Sequence, residues 1–297
     1  MTRTVLILGA TGRFGRNATQ AFRAAGWDVR GFDRATEELS VAARGVDVIV
    51  NAWNPPYQDW ARQVPRLHAD VRRVALANDA TVIIPGNVYV FGDTTPAPWG
   101  PNTPHRATNP LGRIRIEMEA AYRRDGVRTI ILRAGDFIDT EASGNWFDKV
   151  MIKDLARGVF TLPGQPDLPH AWAYLPDVTR AAVMLADQRF SLPRFADFCF
   201  EGYSMTGAEM ADALGSALGR EIRVKQMSWL PLYLARPFVP MIRHLFEMRY
   251  LWNTANSLDG AALAAVLPDM PTTPLDKALR SAVPAQEVAA QMRHRVA

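Results

Sequence analysis

The sequence predicts an α/β protein with a doubly wound, parallel central sheet and a smaller, mainly helical lobe at the C-terminal end. Short strand-like segments alternate with helical patterns through the first half of the chain, and a glycine-rich turn joins the first segment to the first helix. Beyond Asp139 the alternation loosens into proline-rich turns and helices. Such alternation is typical of parallel sheets that helices cover on both faces.

Six segments have the length and composition of strands, and helical patterns separate them. The predicted strands cover residues 5–8, 28–32, 46–51, 81–84, 129–132 and 195–200. The predicted helices cover residues 16–25, 58–78, 113–124 and 178–185. We expect residues 1–203 to form the sheet domain and residues 204–297 the lobe, with residues 141–170 also contributing to the lobe.

The connection between the second and third predicted strands is unusually short. Residues 35–45 offer room for one short helix, but not for a helix, a strand and their connections. We therefore expect the sheet to lack the strand that normally follows the second strand–helix unit, which would leave the adenine end of a bound nucleotide more open.

The first turn carries three glycines at regular spacing. Gly9, Gly12 and Gly15 form the pattern G-x-x-G-x-x-G directly between a predicted strand and a predicted helix. In this context the first glycine permits the tight turn, the second lets the backbone approach a pyrophosphate, and the third lets the helix pack closely. The pattern predicts a dinucleotide site.

The end of the second strand bears on which dinucleotide is bound. Asp33 would accept hydrogen bonds from the ribose of NAD and repel a 2′-phosphate, whereas Arg34 and Arg13 would attract that phosphate. Because Asp33 stands at the strand tip, NAD is favoured over NADP.

Six motifs together resemble the extended short-chain dehydrogenase/reductases, also called the NAD-dependent epimerase/dehydratase family. The motifs are GATGRFG, VDVIVNA, PGNVYVFGD, NPLGRIRIEME, ILRAGDF and PHAWAYLPDV. They span nearly the whole chain and are most similar to an atypical branch of the family. The resemblance implies a Rossmann domain that binds NAD(P) and a C-terminal substrate lobe. The residues predicted to bind the cofactor are Gly9, Thr11, Gly12, Arg13, Phe14, Gly15, Asp33, Arg34, Asn51, Ala52 and Arg115.

The family's usual catalytic triad is absent from the matching positions. Asn87 stands where typical members have Ser or Thr, Leu111 where they have Tyr, and Arg115 where they have Lys. Leucine has no proton to transfer, whereas Arg115 remains charged and can bond ribose hydroxyls. The resemblance therefore implies that cofactor positioning is retained while the usual proton relay is lost.

The positions that hold a nucleotide diphosphate in related sugar-nucleotide enzymes also differ here. His170 and Asp136 stand where those enzymes have Arg and Asn, and a carboxylate at 136 would repel a diphosphate. A small, non-nucleotide carbonyl or hydroxyl compound is the expected substrate. Asn145, Trp146 and Trp172 are the residues that we expect to bind it.

The sequence offers several replacements for the missing proton donor, each with a structural alternative. The candidate catalytic residues are Asn87, Tyr89, Asp136, His170 and Tyr174. The tyrosines could instead be half-buried, hydrogen-bonded aromatics, and His170 a structural loop residue. Two functions remain open: an NAD(P)-dependent oxidoreductase or isomerase with a non-standard proton donor, or a sensor or scaffold that binds NAD(P) without turnover.

Composition restricts location and partners. The formal net charge is +4, but the arginines are scattered, so no nucleic-acid partner is expected. Cys199 is the only cysteine, which excludes an internal disulfide, offers no metal cluster and favours a cytoplasmic location. The most apolar segment, residues 229–252, is interrupted by prolines and arginines, so we expect a lid or a homodimer contact there and no membrane partner.

Overall fold

The main sheet contains six parallel strands. The structure, a computed structural model, describes residues 3–283, so the last part of the predicted lobe, residues 284–297, lies outside the described residues. The strands in chain order are β1 (Thr4–Leu8), β2 (Asp28–Phe32), β3 (Val48–Asn51), β4 (Thr81–Gly86), β5 (Thr129–Arg133), β6 (Asp136–Ile138), β7 (Val159–Leu162), β8 (His170–Tyr174), β9 (Phe195–Cys199), β10 (Tyr203–Met205) and β11 (Arg223–Gln226). The main sheet has the order β2-β1-β3-β4-β5-β9, with β2 at one edge.

Helices follow most of these strands. They are α1 (Arg13–Ala24), α2 (Leu39–Ala42), α3 (Trp60–Ala77), α4 (Pro110–Arg124), α5 (Leu175–Asp187), α6 (Gly207–Leu218), α7 (Leu230–Ala235), α8 (Pro240–Glu247), α9 (Ala261–Val266) and α10 (Leu275–Ala282). Two 3₁₀ turns, Tyr57–Asp59 and Tyr89–Phe91, precede α3 and follow β4. The predicted α/β fold with a doubly wound parallel sheet is confirmed.

The two faces of the main sheet bury different side chains, as strand alternation requires. Leu6, Ile49 and Ile84 pack in one core with residues of α3 and α4. Their neighbours on the opposite face pack in a second core with residues of α1 and α5, and Val5 and Ile83 belong to this set. This two-sided burial explains why the strands are apolar at nearly every position.

The short connection after β2 behaves as predicted. Only the four-residue helix α2 forms between Phe32 and Val48, and no described residue pairs along the outer edge of β2. The expected loss of one strand is therefore confirmed.

Several helices begin earlier than the sequence pattern predicts. Helix α4 begins at Pro110 rather than at residue 113, and α5 begins at Leu175, with Pro176 in its first turn, rather than at residue 178. Proline is tolerated in the first turn because the N–H groups there have no partner within the helix. Apolar periodicity therefore marks these starts too late.

A third core lies outside the main sheet. A three-stranded sheet of order β10-β8-β6 and a two-stranded sheet of β11 and β7 surround it. Its members come from two parts of the chain, residues 138–174 and residues 210–283. Residues from 138–174 thus share a core with residues from 210–283, and the domain bounds and the grouping of residues 141–170 with the lobe stay a proposal.

Candidate functional site

The glycine turn packs directly on the start of α1. Gly9 has a φ of +77°, a conformation that favours glycine, and its carbonyl accepts a hydrogen bond from Gly12 N at 3.0 Å. A Cβ on Gly15 would lie 2.0 Å from Gly9 O, so only glycine allows this approach. The first-turn N–H groups of α1, which have no acceptor within the helix, therefore stand at the carboxyl end of β1.

The tip of β2 carries two carboxylates. Asp33 is exposed, and its Oδ1 accepts from Ala35 N at 2.9 Å while its own N–H donates to Glu37 Oε2 at 2.9 Å. The guanidinium of Arg34 lies 4.9 Å from the ring centre of Trp53, which follows β3. Asp33 and Arg34, both predicted to bind the cofactor, thus lie just beyond the carboxyl end of β2, and Arg34 contacts the segment that follows β3.

Asn51 and Ala52 meet the glycine turn from β3. Ala52 N donates to Leu8 O at 3.1 Å, and its carbonyl lies beside Gly9. The Asn51 side chain is buried, and its Nδ2 lies 3.3 Å from His68 Nδ1. Tyr122 bonds the same nitrogen at 3.0 Å. The Asn51 amide therefore serves a buried network, and its backbone is the part that faces the turn.

That network keeps His68 uncharged. Burial is the largest cause that holds the pKa of His68 well below its ordinary value, and the positive charges of Arg115 and Arg72 act in the same direction. Burial also raises the pKa of the Tyr122 hydroxyl. Asn51, His68 and Tyr122 therefore form a buried, neutral hydrogen-bonded cluster at ordinary pH.

Two tyrosine hydroxyls meet at the centre of the site. Tyr57, from the 3₁₀ turn before α3, and Tyr89, from the turn after β4, have hydroxyl oxygens 2.5 Å apart. Trp60 stacks on the Tyr89 ring at 6.2 Å and meets the Tyr57 ring edge-on at 5.2 Å. Gly112 of α4 allows the approach to Tyr89, because a Cβ there would lie 2.7 Å from Tyr89 O.

Charged residues from three other segments act on this pair. Burial raises the pKa of Tyr57 above its ordinary value, and the charge of Asp136 raises it further, while the Tyr89 hydrogen bond and the charges of Arg13 and Arg115 lower it. Burial likewise raises the pKa of Tyr89 well above its ordinary value, and Tyr57 and Asp136 raise it further. Tyr57 therefore contacts Tyr89 directly, and the charges of Asp136, Arg13 and Arg115 act on it electrostatically.

Sequence reasoning missed Tyr57. It lies six residues beyond the end of β3, after the segment Trp53, Asn54, Pro55 and Pro56. Its position after β3 could have identified Tyr57 as a site residue, since ligands bind in the crevice beyond the carboxyl ends of parallel strands. The prolines made this stretch resemble a connecting loop.

Arg115, whose charge acts on both Tyr57 and Tyr89, is itself buried. One terminal nitrogen donates to Pro85 O at 2.9 Å, the guanidinium lies 5.4 Å from the Trp60 ring centre, and Nε has no partner among the described residues. Burial lowers its pKa from the ordinary arginine value. Leu111, one turn earlier on α4, is 1% exposed and packs in the core. The position that carries tyrosine in the family therefore contributes only packing here.

Asn87 is held from two directions. Its Oδ1 accepts from Tyr89 N at 3.1 Å, and its backbone carbonyl accepts from Arg133 at 3.0 Å. Arg133 is fully buried and also binds Glu119 at 2.9 Å and Asp197 at 2.5 Å. In residues 3–283 the Asn87 Nδ2 has no hydrogen-bond partner, so this donor is available to a ligand.

The Arg133 cluster also contains a metal-like set of side chains. His105, Glu119 and Asp197 have potential ligand atoms within 4.8 Å of one another. The guanidinium of Arg133 already bonds both carboxylates, and burial together with Arg133 lowers the pKa of His105. The cluster is therefore a buried ion-pair network around an arginine, and it anchors the Asn87 loop.

A second hydrogen-bonded chain ends at Asp136. His170 Nε2 lies 2.7 Å from Asp136 Oδ2, and His170 Nδ1 lies 3.2 Å from Asn256 Nδ2. Asn256 Oδ1 accepts from Ala171 N at 2.9 Å, and Nδ2 also donates to Leu251 O at 3.1 Å and to Thr254 O at 3.0 Å. The Asp136 carboxylate can only accept, so His170 Nε2–H donates to it. Sequence reasoning missed Asn256, because it is distant in the chain.

Aromatic side chains hold this histidine in place. The Trp252 ring stacks on His170 with centres 4.3 Å apart and planes 9° apart, and Trp172 lies 4.8 Å away. Trp146 contacts Trp252 edge-on at 5.6 Å. The predicted residues Trp146 and Trp172 therefore lie near His170, while the Asp136 side chain remains 37% exposed.

Two predicted site residues have their polar groups engaged elsewhere. The Tyr174 hydroxyl lies 2.9 Å from Ser281 on α10, and it acts as the donor because Ser281 itself donates to Ala278 O. Asn145 donates to Phe137 O at 3.1 Å and accepts from Asp148 N at 3.0 Å. The structure does not bring either residue into hydrogen-bond contact with the tyrosine pair or with Asp136.

Comparison with known proteins identifies the fold. MoeE5 in complex with UDP-glucose and NAD is 14% identical, with a TM-score of 0.72 over 99% of this chain and 100% of that chain. UDP-glucose 4-epimerase from Brucella ovis in complex with NAD is 17% identical, with a TM-score of 0.70 over 96% and 98%. RMD from Pseudomonas aeruginosa complexed with NADPH is 14% identical, with a TM-score of 0.69 over 99% and 99%. This chain has the fold of these proteins.

Sequence comparison adds no closer relative. No protein-family profile matches the chain, and no curated protein matches it. The resemblance inferred from the sequence motifs is therefore confirmed at the level of the fold. Within residues 3–283, no helix has both the length and the apolar character needed to cross a bilayer.

Proposed function

We propose that the chain binds NAD(P) and transfers a hydride between the nicotinamide and a small carbonyl or hydroxyl compound. The observation that supports this most directly is the hydrogen bond between the Tyr57 and Tyr89 hydroxyls, on both of which the charge of Asp136 acts. Such a reaction needs a group that donates or accepts the hydride and a second group that transfers a proton.

The residues present fit a dinucleotide. The turn at Gly9 and Gly12 presents backbone N–H groups and the positive end of α1 to a pyrophosphate. Asp33 can accept from ribose hydroxyls, and Arg13 is the first residue of α1, directly after the glycine turn. Arg115, at the position of the family's lysine, is the residue that we expect to bond the second ribose. When bound, the nicotinamide supplies or accepts the hydride.

The geometry supports a substrate without a diphosphate. Asp136 is partly exposed, its second oxygen is free of His170, and the histidine donates its proton to the carboxylate rather than outward. A negative group at this position repels phosphate and accepts hydrogen bonds from hydroxyl or amine groups. Asn87 would orient the reacting oxygen or a neighbouring group through its free Nδ2.

One observation favours a second function, binding without turnover. Leu111 is buried where the family's tyrosine stands, so the family's own proton donor has no equivalent on α4. A sensor or scaffold would need only the glycine turn and the ribose contacts. A redox state of the bound cofactor that never changes in the presence of metabolites would favour this alternative.

A substrate screen tests the proposal. We expect purified protein to oxidise NADH or NADPH with at least one member of a broad panel of aldehydes and ketones. Asp136→Asn and Asn87→Ala should each lower kcat by on the order of 10²–10⁴-fold while cofactor affinity is retained. Asp212→Asn, on an exposed position of α6, is the control and should retain full turnover. Full activity in both site variants would show that the reaction occurs elsewhere.

The carboxylates at the tip of β2 predict a cofactor preference. We expect NADH to bind about tenfold or more tightly than NADPH, because a 2′-phosphate would stand beside Asp33 and Glu37. Asp33→Asn combined with Glu37→Gln should narrow this difference, and Glu38→Gln is the control on the same exposed turn. The measurement is titration calorimetry with both reduced cofactors. Tighter binding of NADPH by the wild type would contradict this prediction.

A further inference from the structure

We propose that Tyr57 gives the proton to the substrate oxygen and that Tyr89 donates a hydrogen bond to the phenolate left on Tyr57. The inference rests on the proposed hydride-transfer function. It deepens that proposal by assigning the proton donor to a residue outside every motif of the family resemblance.

The geometry of the pair supplies the first argument. With oxygens 2.5 Å apart, one hydroxyl donates to the other and one proton of the pair remains free to reach a ligand. Both rings are held by Trp60, and α4 closes on Tyr89 at Gly112. The pair is therefore a rigid group with a single transferable proton, which suits it to act at one fixed point.

The surrounding charges decide which oxygen yields its proton. The hydrogen bond from Tyr89 favours an anion on Tyr57, and Arg13 and Arg115 act in the same direction, while Asp136 opposes an anion on either tyrosine. Among the charges that act on Tyr89, only Arg115 favours its ionised form. Tyr57 and Asp136 oppose ionisation of Tyr89. Negative charge is therefore better tolerated on Tyr57, and Tyr89 is the supporting donor.

The other predicted donors have their protons committed. The Tyr174 hydroxyl donates to Ser281, and His170 Nε2–H donates to Asp136. Asn87 can donate a hydrogen bond but cannot act as an acid. Among the candidate side chains described here, the tyrosine pair is the group that combines a free proton with stabilisation of the charge left behind.

The proton balance favours reduction. The carbonyl carbon gains the hydride of the reduced nicotinamide, the C=O π bond breaks, and the carbonyl oxygen takes the proton of Tyr57. The products are an alcohol, the oxidised cofactor and the Tyr57 phenolate, which recovers a proton from water. Burial raises the pKa of both hydroxyls, so the pair remains protonated at neutral pH and is ready to act as an acid.

The first test reads the tyrosines directly, without turnover. A fluorinated tyrosine is placed at position 57 or 89, and its ionisation is followed by ¹⁹F NMR against pH. The groups that face Tyr57 are Tyr89, Asp136, Arg13, Arg115 and, through a ring contact at 6.5 Å, His244. We expect position 57 to ionise at lower pH than position 89. Adding Tyr89→Phe should raise the pKa at position 57, because the donated hydrogen bond is lost.

The second test uses turnover on a compound identified by the screen. Tyr57→Phe keeps the ring contacts and should lower the reductive kcat by on the order of 10²–10⁴-fold, with cofactor affinity unchanged. Tyr89→Phe should have a smaller effect. Asp212→Asn, on an exposed position of α6, is again the control and should retain full turnover.

The outcomes separate the two proposals. Full turnover by Tyr57→Phe, or earlier ionisation at position 89, would overturn the assignment of Tyr57 and leave the proposed hydride transfer intact. A wild-type protein that binds cofactor but reduces no compound would overturn the proposed function, and the acid role of Tyr57 with it. The expected order of ionisation together with loss of turnover in Tyr57→Phe would support both.

Discussion

Gly12→Val is expected to abolish NAD(P) binding while the free protein keeps nearly its wild-type stability. Gly12 has φ −74° and ψ 168°, an extended conformation that valine adopts without strain. A Cβ there would meet only Gly9 O, at 3.3 Å, a tight contact that a shift of a few tenths of an ångström relieves. The same side chain would occupy the space that a pyrophosphate needs beside the first N–H groups of α1.

Gly15→Ala provides the matched comparison within the same turn. Its Cβ would lie 2.0 Å from Gly9 O, and backbone atoms cannot yield as a side-chain end can. We therefore expect Gly15→Ala to lower both the thermal stability and the cofactor affinity, because α1 must move away from the turn.

The two variants are compared by calorimetric titration with NADH and by thermal unfolding without cofactor. Loss of at least about 100-fold in affinity for Gly12→Val corresponds to about 2.7 kcal/mol of binding free energy. Wild-type affinity in Gly12→Val would show that the phosphates bind somewhere other than the glycine turn. A large loss of stability in that variant would mean that the turn serves the fold rather than the ligand.

Arg133→Met is expected to produce the largest loss of stability. The guanidinium is fully buried and holds Glu119 through two hydrogen bonds and Asp197 through two more. Methionine fills much of the volume but leaves two carboxylates in the interior without a countercharge. Removing one partner of a buried ion pair costs about 3–5 kcal/mol in the free energy of unfolding.

A compensated variant controls for the loss of packing. Arg133→Met combined with Glu119→Gln and Asp197→Asn removes the unpaired charges, so it should recover much of the lost stability. The measurement is urea unfolding of all three proteins at neutral pH. Equal destabilisation of the single and triple variants would show that packing, rather than uncompensated charge, is what Arg133 supplies.

The same arginine connects stability with the site. Arg133 donates to Asn87 O, and Asn87 Oδ1 in turn accepts from Tyr89 N. We therefore expect the triple variant, although more stable than Arg133→Met, to lose turnover because the loop that positions Tyr89 has lost its anchor.

The sheet and the glycine turn could be predicted from local sequence because each depends on neighbours in the chain. Apolar runs of strand length, helical periodicity and the spacing of Gly9, Gly12 and Gly15 are short-range patterns with direct steric causes. Even the missing strand followed from simple chain length between residues 35 and 45. Helix starts were less accurate where a proline stands in the first turn, because proline has no apolar periodicity to signal it.

Only the tertiary structure decided which polar groups meet. Tyr57 and Tyr89 are 32 positions apart, and His170 and Asn256 are 86 positions apart, yet each pair is hydrogen bonded. Tyr174 lies in one of the motifs that resemble the family and was a candidate catalytic residue, but its hydroxyl donates to Ser281. A side chain's partner depends on where distant segments pack, since hydrogen bonds act only over about 3 Å and leave no periodic trace in the sequence.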